Sequence, residues 1–438
     1  MRKIVIIGNG ISGITCARNI RKLSDDEITI ISAETEHFYS RTALMYVYMG
    51  HMKYEHLKPY EDSFWKKNRL DLVFKKVIHI QSDLKSITFQ DNSKINYDIL
   101  IIATGSITKH YDWPGQELDG VSGFYNFQDL GKIEKHTKDI SSAVIVGGGL
   151  IGVELAEMFH SRNINVTLLV RDQNYWGSVL PKVDAQLVGK HIEQHGINIL
   201  YNSELKEILP SNKNTVGGII TKSGKIIKCD FVGISTGVIP NISFLQHSKI
   251  ECDKGILINN FFETSTTDIY AIGDCAQFRQ APAGRKHIEQ IWYTGRMHGE
   301  TLASILCRNK KEYKPGPFFN SAKFFDLEYQ TYGIVPAKAL EDDSFYTWKH
   351  PQKEIQLTFV YNTASRIFKG INCFGTRLRH EFFDHYLRQN GTIEDVISNF
   401  KKSIFDKEFE RNYFKELLSD FNNVNGSNLK NKTFSLFK

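Results

Sequence analysis

The chain has 438 residues, 41% of them hydrophobic and 24% charged, enough for roughly three ordinary globular domains. Its net charge of +6 is a mild excess without a basic stripe, which argues against a nucleic-acid binder, and no apolar run reaches the ~18 residues of a membrane-spanning helix. Six cysteines (Cys16, Cys229, Cys252, Cys275, Cys307 and Cys373) form no C-x-x-C pair, so no zinc ribbon or dithiol motif is spelled out, and with no leader before the first strand the expected location is cytoplasmic.

Lys3 to Ile7 is a short β-branched run, read as a buried parallel strand. Glycines follow at once, then a helix to about Leu23 and a strand from Ile28 to Ile31. This β-loop-α-β order opens a doubly wound sheet. Tyr97 to Ala103 reads as a further buried strand ending in Thr104-Gly105. At Ser142 to Val146 the opening pattern returns, with a glycine loop, a helix to about Ser161 and the strand Val166 to Val170. The internal repeat, offset by about 139 residues, is the largest organisational fact in the chain. A helix is predicted from about Ile288 to Cys307. Lys314-Pro315-Gly316-Pro317 reads as a hinge, residues 321–375 as alternating strands and 377–421 as two helices. The tail 422–438 is Asn, Lys and Ser-rich and is expected to be disordered. The fold class is therefore α/β, with two tandem Rossmann-like dinucleotide-binding domains and a C-terminal α+β domain.

The first loop is Gly8-Asn9-Gly10-Ile11-Ser12-Gly13. Gly8 permits the tight turn, Gly10 lets backbone approach a pyrophosphate, and Gly13 lets the helix sit close to the sheet. The helix start presents free N–H groups to phosphates. Glu34, 21 residues after Gly13, is placed to accept ribose hydroxyls. Gly147, Gly149 and Gly152 repeat the arrangement. Two such loops imply two dinucleotides, and if one is a flavin, hydride passes between them.

On these loops, and on Ala103-Thr104-Gly105, Thr236-Gly237-Val238-Ile239-Pro240-Asn241 and Thr266 to Asp274, residues 1–310 resemble the pyridine nucleotide-disulfide oxidoreductase-like flavoproteins. The resemblance implies FAD on the first loop, with Asp274 at the ribityl chain and Gly273, Thr104, Gly105 and Gly237 in the same binding motifs. It implies a split FAD domain, 1–112 with 242–316, an inserted NAD(P) domain, 113–241, and a C-terminal interface domain, 317–421. The stretch His37 to Leu44 resembles the nitrite reductase, rubredoxin reductase and ferredoxin reductase branch, where Arg41 contacts FAD. Disulfide reductases carry a reactive cysteine in this stretch and this chain has none, so the branch is the one without dithiol relay chemistry. Relatives pair a lysine after this stretch with a glutamate matching Glu154; Tyr46 stands here instead. Glu154 and Trp292 are the candidate groups beside the reacting rings.

The second nucleotide is NADH or NADPH. Val170 stands where an acid would mark NADH; Arg171 suits a 2′-phosphate and Asp172 suits the ribose in a shifted register. The expected acceptor is a ferredoxin- or rubredoxin-like carrier, small and acidic, met by Arg377, Arg379, Lys401 and Lys402. A peripheral membrane quinone reductase is the second reading, resting on Phe382, Phe383, Phe400, Phe405 and Phe409 among lysines, although packing of the third domain explains those rings better. A redox-sensing interaction protein that binds FAD and NAD(P)H is a third, of another class. A homodimer is compatible with all three. His380 and His385 lie five apart and diverge on a helix, so no metal site is expected.

Overall fold

Isoleucine and valine fill the strands Lys3–Ile7, Glu27–Ser32 and Ile99–Ile102, and their side chains are buried on both faces. That is the signature of a parallel sheet covered by helices. The computed structural model describes residues 1–211, 214–406 and 413–430. Two compact units emerge: Met1–Gly147, Leu155–Val166 and Leu205–Pro315 form the first, and Gly148–Glu154, Thr167–Glu204 and Gly316–Lys438 the second.

In the first unit the sheet order is Ile269–Ala271, Ile99–Ile102, Lys3–Ile7, Glu27–Ser32 and Leu70–Phe74, all parallel. The helix Ile11–Leu23 leaves the end of the Lys3–Ile7 strand. The helix Trp292–Cys307 lies hard against it at two glycines: a Cβ on Gly295 would fall 2.6 Å from Ser12 Oγ, and one on Gly299 2.5 Å from the Ser12 carbonyl. This contact fixes the start of the first helix. The repeat is present as well, with Ser142–Val146 parallel to Phe231–Ile234 and that strand parallel to Val121–Gly123.

In the second unit, Thr167 to Leu169 runs parallel to Asn198–Leu200. A five-stranded antiparallel sheet follows in the order Phe319–Phe324, Leu327–Gly333, Phe368–Phe374, Gln356–Asn362, Asp343–Lys349. Among the described residues three α-helices, not the expected two, lie after it: His380–Arg388, Ile393–Asn399 and Phe414–Asn425. The Gly391-Thr392 turn breaks the run, because the Thr392 hydroxyl accepts from the Asp395 N–H and starts a new helix. Phe383, Phe400, Phe414 and Phe421 join Phe359 in the core of this unit, so two of the five rings behind the membrane reading are buried there. Phe382 is half-buried, Phe405 is 55% exposed, and Phe409 lies outside the described residues.

The tail expectation is corrected in part. Asn422 to Asn425 complete the last helix, and Asn422 Oδ1 accepts from the Ser427 hydroxyl and the Leu429 N–H, closing the helix end. Residues 431–438 lie outside the described residues.

Asp184, on the helix Lys182–Gln194, is completely buried in the second unit. Its carboxylate accepts from Gln356 Nε2 (2.5 Å), Thr358 Oγ1 (2.6 Å) and Asn372 Nδ2 (2.8 Å), which fasten the helix to two strands of the sheet. Burial pushes its carboxyl up, and the three donors pull it back part of the way. Asp184→Ala strands those donors in the interior at ~1–3 kcal/mol for each amide. It is expected to lower the urea midpoint of this unit by the equivalent of ~3 kcal/mol.

Candidate functional site

The twin glycines adopt the same constrained geometry. Gly8 sits at φ +117°, and a Cβ there would lie 2.1 Å from the Ala103 carbonyl oxygen. Gly147 sits at φ +127°, with 2.4 Å to the Ser235 carbonyl oxygen. No other residue type fits either turn. Gly13 is closed in by the Gly8 carbonyl at 2.1 Å, whereas nothing lies within 4 Å of a Cβ on Gly10.

Gly10 faces a cleft of about 540 Å3 that Glu34, Arg41, Thr104, Gly105, Asp274 and Trp292 also line. The helix Ile11–Leu23 begins at this cleft with no side-chain cap and no acid in its first turn. Its N–H groups are therefore available to an anion. Lys76 adds positive charge to the lining, where Lys75 is paired with Asp91 at 2.8 Å.

Glu34 and Arg41 form a two-pronged pair at 2.6 and 3.0 Å. The Tyr39 hydroxyl and the Phe127 N–H also donate to Glu34 Oε1, and Arg41 donates to the Tyr125 carbonyl at 2.6 Å. Burial alone would raise the Glu34 carboxyl, but the Arg41 guanidinium and these donors hold it below its ordinary range. Oε1 takes three donors and Oε2 one, so an acceptor position remains on Oε2 for a hydroxyl.

At the other end, Asp274 Oδ2 accepts from Ser106 Oγ (3.2 Å) and the Tyr125 hydroxyl (3.3 Å). Gln290 Nε2 donates to Ser106 Oγ at 2.8 Å. Burial pushes the Asp274 carboxyl up despite those donors. The preceding Gly273 N–H donates to His298 Nδ1 at 3.1 Å. Sequence reasoning missed Tyr125, Ser106, Gln290 and His298; the sole local signal is that Gln290 and His298 flank the start of the helix that touches the first loop.

That helix starts at Trp292, not at Ile288 as expected. Glu289 lies before it, its carboxylate held by Arg285 Nε at 2.7 Å and the Thr294 hydroxyl at 2.9 Å. The Arg285–Glu289 pair is buried. Trp292 stands at its N-terminus, about a third exposed.

Of the second set, Gly149 has the Trp176 indole 3.8 Å from its Cβ position and accepts from the Tyr175 hydroxyl at 2.8 Å. Gly152 is buried in the first turn of Leu150–His160, the helix that carries Glu154. Val170 is buried, its side chain 3.0 Å from a Cβ on Gly148. Arg171 is 71% exposed and lies 3.5 Å from Asp172. Gly237 turns at φ +99° with open space beside it.

No cysteine lines the cleft. Cys16 and Cys275 are buried; burial pushes both thiols up, Cys275 to about 11, so neither is a thiolate near neutrality. His380 is half-buried against Phe319 and Tyr332 while His385 is exposed, so the two imidazoles diverge as expected.

A family model described as pyridine nucleotide-disulphide oxidoreductase matches residues 2–299. The chain belongs to that family. It is 26% identical over 95% of its length to the assimilatory nitrate reductase electron transfer subunit of Bacillus subtilis, and it spans 53% of that relative, about half. It is 26% identical over 69% of its length to a rubredoxin-NAD(+) reductase of Pseudomonas putida, covering 80% of it. Among solved structures, the covalent putidaredoxin reductase-putidaredoxin complex superposes with a TM-score of 0.80 at 19% identity, over 96% of this chain and 98% of that one. The last likeness establishes the fold. Among the described residues no helix of this family member is long and apolar enough to cross a membrane.

His298 supplies a pH test of the cleft's support. It is buried among Phe262, Phe278 and Tyr313, and burial, with the Arg285 charge, lowers its imidazole to about 3. The unfolded chain takes up a proton below about 6.5 and the native chain does not until about 3, so stability is full above 6.5 and falls as pH drops. The slope is ~1.4 kcal/mol per pH unit. His298→Gln keeps an acceptor for the Gly273 N–H without titrating. In urea, the parent is expected to lose ~2 kcal/mol more than this variant between pH 6.5 and 5.

Proposed function

We propose that this chain is an FAD-dependent NAD(P)H oxidoreductase that delivers electrons to a small ferredoxin- or rubredoxin-like carrier protein. The observation that carries the reading is the cleft. An uncapped helix start with Gly10 open beside it suits a pyrophosphate, and Arg41–Glu34 and Asp274 stand at its walls. The names of the relatives agree: a rubredoxin reductase and an electron transfer subunit.

A bound flavin supplies hydride acceptance from a nicotinamide and release of single electrons. The chain's residues bind and align. The Ile11–Leu23 helix start holds phosphates, Glu34 Oε2 takes a ribose hydroxyl, and Asp274 takes ribityl hydroxyls. Trp292 would lie beside the flavin ring, and Glu154 would serve the nicotinamide. Hydride transfer requires no acid or base, so alignment is the protein's main contribution. Gly147, Gly149 and Gly152 hold the nicotinamide dinucleotide. The lack of a cysteine among the residues lining the cleft supports the branch that works without a dithiol relay.

The exposure of Arg171, just past the Asn165–Leu169 strand, supports its reading as the partner of a 2′-phosphate. Arg171→Ala is expected to raise KM for NADPH roughly tenfold, the loss of one charge-assisted contact, and to leave KM for NADH unchanged. Steady-state kinetics with the two nucleotides reads the difference.

On the carrier side, Arg379 and Lys401 are exposed, while Arg377 is paired with Glu328 and Lys402 donates to Asn399. The FAD-loaded chain is therefore expected to reduce an acidic rubredoxin or ferredoxin with rates that fall as salt rises. Flavin reduced by NAD(P)H that no carrier reoxidises would overturn the carrier reading. Equal turnover with a quinone and no protein carrier would do the same.

A further inference from the structure

The helix Lys182–Gln194 carries a second constellation that the oxidoreductase reading does not use. His191 stands in its last turn and His195, four residues on, is the residue that closes its C-terminal end. Asp326, in the turn between Phe319–Phe324 and Leu327–Gly333, meets both. One oxygen, Asp326 Oδ1, lies 2.9 Å from His191 Nε2 and 3.2 Å from His195 Nε2.

The far nitrogens are already committed. His191 Nδ1 lies 2.8 Å from the Glu354 carboxylate, and His195 Nδ1 lies 2.9 Å from the His191 carbonyl oxygen. A carbonyl only accepts, so His195 Nδ1 is the donor and its Nε2 presents a lone pair in a neutral ring. A neutral His191 likewise has one lone pair aimed at a carboxylate. Lone pair against carboxylate repels, so the centre holds positive charge in one of two forms, protons on the two Nε2 atoms or a single cation between them. A divalent ion supplies it once, at the one point on which both Nε2 atoms and Asp326 converge.

The outer partners are those that metal-bound histidines use, a carboxylate on one ring and a backbone carbonyl on the other. The spacing fits as well. Ligands ~2.0–2.1 Å from a tetrahedral zinc stand roughly 3.3 Å apart, and Asp326 Oδ1 stands 2.9 and 3.2 Å from the two imidazole nitrogens, all three ligand atoms lying within 4.8 Å of one another. His195 is held flat on Phe325, ring centroids 4.4 Å apart, and His191 is buried, so two of the three ligands are preset. Asp326, its side chain 79% exposed, leaves a fourth position open to water.

The geometry points to a divalent transition-metal site, of the zinc type, formed by His191, His195 and Asp326 with Glu354 orienting His191. Bound there, the ion ties the end of this helix to the 324–327 turn within the second unit. Imidazole with one carboxylate favours zinc, nickel or copper over magnesium or calcium.

The test uses the untagged, full-length chain, stripped with chelator, dialysed and titrated with Zn2+ by calorimetry and by thermal melting. One Zn2+ per chain and a rise in melting temperature are expected. His195→Gln and Asp326→Asn, both at the surface edge of the cluster, are expected to lose that stoichiometric binding by tenfold or more and to lose the rise, while melting like the parent in chelator. Mg2+ is expected to do nothing. No stoichiometric Zn2+ uptake by the parent, or uptake and stabilisation that both variants retain, would overturn the site.

Discussion

Replacing Arg41 with alanine is expected to give a chain that folds but purifies largely without flavin, its FAD affinity lowered roughly a hundredfold. The guanidinium makes three bonds at the cleft: two to Glu34 and one to the Tyr125 carbonyl. Its removal leaves the Glu34 carboxylate with only Tyr39 and Phe127 as donors and adds an uncompensated negative charge facing a phosphate-bearing ligand. Breaking a fully buried pair costs ~3–5 kcal/mol; this one is partly open to solvent, so about 2–3 kcal/mol is the scale. Arg41→Lys restores charge without the fork and should recover only part of the affinity. Fluorescence titration of apoprotein with FAD measures all three proteins.

The second large effect is at Gly8. Alanine there meets the Ala103 carbonyl at 2.1 Å from a backbone at φ +117°. Both partners are main chain, so no side-chain rotation relieves the overlap, and the strand Lys3–Ile7 must separate from Ile99–Ile102. A loss of ~3 kcal/mol or more is expected, with little soluble chain and no flavin. Gly10→Ala is the matched control. Its Cβ enters open space in the cleft, so the chain should melt normally and bind FAD weakly. If Gly10→Ala bound FAD as the parent does, the cleft would not be the pyrophosphate seat.

These two positions also show what the sequence discloses and why. Gly8 and Gly147 are legible because a tight turn under a neighbouring strand admits only glycine, whatever surrounds it. The parallel strands are legible because burial on both faces demands unbroken β-branched runs. Tyr125 and Ser106 are not, because their role depends on Asp274, which lies 149 and 168 residues further along the chain. Asp184 is illegible for the same reason. On a helix it passes for a solvated acid, and only Gln356, Thr358 and Asn372, 172 to 188 residues away, make it an anchor. The helix expected from Ile288 begins at Trp292, and Glu289 lies before it in a buried pair with Arg285 that local propensity does not disclose.

The central claim is that this fold seats a flavin reducible by a nicotinamide. Anaerobic stopped-flow mixing of the FAD-loaded chain with NADH and with NADPH tests it most directly. Bleaching of the flavin absorbance by at least one nucleotide, lost in Arg41→Ala under the same conditions, is the predicted result; an FAD-loaded chain that neither nucleotide bleaches would contradict it.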